Sequence, residues 1–72
     1  MKKIDIKKTG LNINNKIIEK NLSIQYISEC MDFNSVRSVY KWLNGVSLPS
    51  LSNFVILSEL LETTIDELLV KY

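Results

Sequence analysis

Histidine is absent from the 72 residues, cysteine occurs once and proline once, and there are only two glycines. Without histidine there is no Ser-His or Cys-His pair to activate a nucleophile and no imidazole-based metal site. A lone Cys30 rules out an internal disulfide. No carboxylate cluster has the spacing of a metal loop, so neither cofactor nor metal is expected, and the chain does not read as an enzyme. No apolar run approaches the roughly 18 residues a membrane span needs, and the Lys-rich start leads into no apolar signal region, so a cytoplasmic location is expected.

The residues present describe an ordinary globular chain, 46% hydrophobic and 24% charged. Its net charge of +1 conceals an asymmetry. Residues 1–41 carry eight cations (Lys2, Lys3, Lys7, Lys8, Lys16, Lys20, Arg37, Lys41) against four acids, whereas residues 42–72 carry Lys71 against Glu59, Glu62, Asp66 and Glu67. Such a division hints at a nucleic-acid face, although a solvated surface of mixed charge gives the same count.

Periodicity predicts an all-α chain of five helices preceded by a short extended arm. Residues 1–10 alternate through Ile4, Asp5, Ile6 and Lys7 and stop at Gly10, suiting an extended basic arm, with a folded domain over residues 11–72. Ile13, Ile17 and Ile18 predict a first helix from Asn12 to about Lys20, with Asn21 as its left-handed end. Ser23 is placed to cap a second helix carrying Ile24, Ile27 and Met31, and Asp32, Phe33 and Asn34 read as a tight turn. Asn34 or Ser35 then caps a third helix that Gly45 ends, with Pro49 in the loop beyond. Ser50 caps a fourth helix, Leu51 to Leu61, apolar enough to be expected nearly engulfed. Thr64 and Glu67 have capping-box spacing before Ile65, Leu68, Leu69 and Tyr72 at helical intervals.

The third helix divides sharply. At about 100° per residue, Val36, Val39, Tyr40, Trp42 and Leu43 share one arc, while Arg37, Ser38 and Lys41 lie opposite with no acid among them. Arg can bond guanine bidentately and Lys can hold a base or a phosphate, so this is the donor-rich surface a major-groove reader needs. A merely solvated face would look the same on this helix alone.

In this arrangement the sequence resembles the Cro and phage-repressor (XRE-type) helix-turn-helix regulators. The matching residues are Ile13; Leu22, Ser23 and Ile27 within LSIQYIS; Val39, Trp42 and Gly45 within and beside VYKWLNG; and Leu48 and Pro49 leading into LSELLETTIDELL. The resemblance implies a five-helix lambda-repressor-like fold whose third helix enters the major groove of double-stranded DNA. It places Ser35, Arg37, Ser38 and Lys41 toward bases or nearby phosphates and Asn44 by the backbone, and the DNA-facing set expected here adds Gln25 and Asn34. The family's phosphate-binding Gln at the second position of helix two is Ile24 in this chain, and a buried Arg-Glu pair common in the family is replaced by Ile17 and Leu43. So small a reader implies a homodimer on a palindromic operator, with Leu68, Leu69 and Tyr72 as its expected surface, acting as a repressor. A partner-binding module on the same scaffold is the alternative. Trp42 is expected in the core and Cys30 as a small helix-two side chain. The N-terminal lysines remain either a solubilising tail or a phosphate-reaching arm.

Overall fold

A computed structural model describes residues 3–72 and shows five helices: α1 (Ile6–Glu19), α2 (Ile24–Cys30), α3 (Arg37–Leu43), α4 (Leu51–Leu60) and α5 (Ile65–Leu68). Four of them start on a side-chain cap. Asp5, Ser23, Ser50 and Thr64 hold extended backbone and accept the amide three residues on, from Lys8, Tyr26, Asn53 and Glu67, at 3.0, 3.0, 3.2 and 3.1 Å. Each such cap contributes about 1 kcal/mol.

The first four helices end alike, in a Schellman motif. The left-handed residues are Asn21, Asp32, Gly45 and Glu62, with φ of 56°, 61°, 72° and 53°. The amides after them, of Leu22, Phe33, Val46 and Thr63, close back onto the carbonyls of Ile17, Ser28, Lys41 and Ser58 at 2.9–3.1 Å. Orphan carbonyls at each helix end are thereby satisfied. Asn21 and Gly45 end their helices as the sequence leads one to expect.

Side chains from all five helices meet in one cluster: Ile13 and Ile17, Ile27 and Met31, Val39 and Trp42, Phe54, Leu57 and Leu61, and Leu68. A close backbone approach beside it is made at Gly10. A Cβ there would stand 2.2 Å from the Trp42 carbonyl oxygen and 3.0 Å from that of Leu43. Gly10 therefore belongs to the α1–α3 contact and ends nothing. Because Asp5 caps α1, residues 6–10 are its first turns, and only residues 3–5 of the expected arm are extended. Lys2, counted with that arm, lies outside the described residues.

The extended piece has a partner. Lys3 and Tyr72 exchange both backbone hydrogen bonds at 3.0 and 2.9 Å, and the Asp5 amide reaches the Val70 carbonyl at 2.7 Å. Thr9, fully buried, accepts from the Val70 amide at 2.9 Å, and the Asn12 side-chain amide donates to the carbonyls of Glu67 and Leu68 at 2.8 and 3.0 Å. α1 thus takes up the last carbonyls of α5 and holds residues 69–72 extended, which is why α5 stops at Leu68 and Tyr72 occupies no helical face.

Two further expectations need correction. α4 is not engulfed: it turns Phe54 and Leu57, with Leu61 at its C-cap, into the core, while Leu51, 74% exposed, and Val55, 44% exposed, lie on a side left open among the described residues. Tyr40 leaves the apolar arc of α3 and is 47% exposed, while Val36 and Leu43 are half-buried.

Candidate nucleic-acid interface

The turn between α2 and α3 determines which way α3 faces. Asp32 is left-handed, Phe33 follows it into the core, and the Phe33 ring meets Trp42 edge-on at 5.8 Å between centroids and 65° between planes. Val39 and Trp42 are buried, as expected for the inner side of α3. With those two fixed, the outer side of so short a rod is determined.

Arg37 begins α3 and Lys41 lies one turn further on, both exposed. Positions four apart stack on one side of a helix, so the two cations share a column. Asn34 precedes this column in the turn and Asn44 follows it as the C-cap of α3, both exposed, while Ser38 is half-buried beside it. Among the described residues no carboxylate comes within ion-pair distance of Arg37 or Lys41. Two of the four acids of the C-terminal half are engaged elsewhere: Glu62 with Lys20, and Asp66 with Lys71 at 2.7 Å. Those partners hold both carboxyls below the ordinary carboxylate range, through the hydrogen bond first and the neighbouring charge second. They are exposed pairs and stabilise the fold little. Their importance is that two cations and two acids are matched away from α3.

Not every expected residue joins the column. Ser35 does not cap α3 in the expected manner. The N-cap is Val36, in helical backbone without a side-chain bond, and the Ser35 hydroxyl accepts the Arg37 amide at 3.3 Å. The reason is local: residues 34–36 are used in bending the chain, so α3 starts one or two residues later than Asn34 or Ser35 would set it. Gln25 sits on α2, exposed, with its amide nitrogen 3.5 Å from a Glu29 carboxylate oxygen, at the outer limit of a hydrogen bond. One cation that pattern reading assigned to the arm, Lys7, lies on α1 against the turn that ends α3. Only the contact between α1 and Gly45 reveals this, and nothing in the local sequence signals it.

In this geometry a short helix presents donors outward and is held at its back by an aromatic pair, which suits recognition of an anionic or acceptor-rich surface. Compared with known families, residues 13–68 match the family described as Helix-turn-helix. Neither curated proteins nor solved structures give a match.

Proposed function

The chain belongs to the helix-turn-helix family of DNA-binding regulators, and from that membership we propose that it recognises a specific double-stranded DNA site through α3. It does so as a homodimer on a palindromic operator, and it represses transcription there. The observation that carries this reading is the column of Arg37 and Lys41, exposed and free of carboxylate partners among the described residues, on the side of α3 opposite Val39 and Trp42. In this role Arg37 and Lys41 contact base edges or adjacent phosphates, Ser35 and Ser38 adjust to the groove wall, and Asn34 and Asn44 contact the backbone at either end. Gln25, on α2, serves as a phosphate contact once released from Glu29.

Seven helical residues offer few base contacts. Two copies on a two-fold symmetric site supply the missing affinity through effective concentration, which is the support for a dimer. Leu68 is fully buried within one copy, so of the surface expected for pairing only half-buried Leu69 and exposed Tyr72 are left. Repression requires only that the bound protein occupy a promoter.

The test is a footprint of the purified protein on the promoter region of its own gene at low salt, together with genome-wide recovery of bound fragments. A protected palindrome is expected. Absence of protection together with absence of enriched fragments refutes the reading. A second reading, a partner-binding module on the same scaffold, is favoured by the exposed Leu51 and Val55 on α4 and by Ile24 at the start of α2.

A further inference from the structure

Lys3, Lys7 and Lys8, alike in the sequence, occupy three different environments. Lys3 is paired through its backbone with Tyr72, Lys8 donates its amide to Asp5 as part of the α1 cap, and Lys7 packs on Gly45. A Cβ on Gly45 would lie 2.6 Å from Lys7 Cγ and 2.9 Å from Lys7 Cα. Both the stem and the backbone of Lys7 thus fill the space that a side chain at position 45 would need. The left-handed φ of 72° favours glycine there independently.

Position 45 is not an arbitrary neighbour. It follows Lys41 by four residues, as Lys41 follows Arg37, and is the first residue beyond the C-cap of α3, so it stands just past the end of the helix that carries the column. The column of cations would end at a glycine, and α1 supplies a lysine in its place. Lys7 is exposed, and no carboxylate among the described residues lies within ion-pair distance of it. Asp5, two residues away in the chain, accepts the Lys8 amide through Oδ1.

The geometry points to Lys7 as a third cation of the α3 column, contributed by α1, that grips a DNA phosphate beyond the C-terminal end of α3. This rests on the DNA-binding reading and adds a residue to it. Phosphate is the fitting partner because an ammonium is a point charge without the planar fork that reads base edges, and because Lys7 lies past the end of the helix that enters the groove. Since its backbone is held on Gly45, Lys7 keeps a fixed register with Arg37 and Lys41, unlike a lysine on a loose arm.

The experiment measures affinity against salt concentration for the full chain on a duplex carrying its selected site and on an unrelated duplex. Lys7→Gln keeps the stem that packs on Gly45 and removes only the charge, and its thermal midpoint verifies that the fold is intact. The log–log slope of Lys7→Gln should be shallower by about 0.9, one phosphate fewer being neutralised, equally on both duplexes. Lys7→Arg should retain the slope, and Lys8→Gln, on a neighbouring column of α1, should leave it unchanged. An unaltered slope in folded Lys7→Gln, while Arg37→Ala with Lys41→Ala loses binding, overturns this inference and leaves the DNA-binding reading standing. If the unsubstituted chain binds no duplex at all, that reading fails and this one with it.

Discussion

Replacing Gly10 by alanine separates helix propensity from packing, because the two act in opposite directions. Gly10 lies inside α1, where Ala would ordinarily stabilise by about 1 kcal/mol. The added Cβ, however, would stand 2.2 Å from the Trp42 carbonyl oxygen, about 1 Å inside an ordinary carbon–oxygen contact. The second obstacle, the Leu43 carbonyl, is also backbone, so no side-chain rotation can relieve the overlap and α1 must move away from α3. Forced overpacking costs about 1–3 kcal/mol, and the immobile neighbours argue for the upper end. Net of propensity, Gly10→Ala should destabilise by about 2 kcal/mol, or roughly 8–16 °C in thermal midpoint for a domain of this size. Urea and thermal unfolding followed by circular dichroism measure it directly. Asn15→Ala, exposed on the same helix, is the control and should gain about 0.5 kcal/mol. If Gly10→Ala proves as stable as the unsubstituted chain or more so, α1 and α3 do not touch through backbone at this point, and the packing that orients α3 has been misassigned.

Three other substitutions follow from the same structure. Ser28 is 1% exposed on α2 and its hydroxyl has no hydrogen-bond partner among the described residues, so Ser28→Ala should raise stability by about 1 kcal/mol in urea unfolding; a loss would mean that the hydroxyl is satisfied. Asp32 ends α2 with a φ of 61°, and Asp32→Gly should be neutral or stabilising by up to about 1 kcal/mol, whereas Asp32→Val, β-branched in left-handed backbone, should lose more than about 1 kcal/mol in the same unfolding assay. Glu62 and Asp66 have folded-state pKa values lowered by Lys20 and Lys71, so their contribution is present above the unfolded carboxylate pKa and disappears as pH falls through the folded values. Glu62→Gln with Asp66→Asn should therefore leave the acid end of a stability-against-pH curve nearly unchanged and lower its neutral region slightly, flattening the acid limb by that same small amount, the pairs being exposed; an acid limb of undiminished slope would show that the pairs do not form in solution.

Much of the fold is legible in the residues wherever a local rule acts alone. Ser23, Ser50 and Thr64 cap the helices they precede, Asn21 and Gly45 end the ones they follow, and Trp42 and Val39 face inward. The failures fall where a partner distant in sequence decides. Alternation around Ile4 and Ile6 suits a strand, but Asp5 caps a helix and Gly10 is there for the carbonyls of Trp42 and Leu43. The i, i+3, i+4, i+7 spacing up to Tyr72 suits a helix, yet Thr9 and Asn12 take the backbone groups at its end and pair residues 69–72 with the N-terminal segment instead. The exposed flank of α4 escapes prediction because composition along one helix does not reveal how many neighbours remain to cover it. At the interface, Arg37 and Lys41 can be read from a helical wheel, whereas the place of Lys7 depends on a contact between residues 7 and 45 that no window of sequence contains.

The decisive measurement is affinity for a duplex selected by the protein itself, compared between the unsubstituted chain and Arg37→Ala with Lys41→Ala at equal salt, both shown to be folded by their thermal midpoints. Removing a side chain that reads a base should weaken binding by about 1–3 kcal/mol, about 5- to 160-fold, so the double variant should lose at least about fivefold and, with both cations on bases, about 30-fold or more, with discrimination against unrelated DNA relaxed. Undiminished affinity in the folded double variant would mean that the exposed side of α3 does not touch DNA.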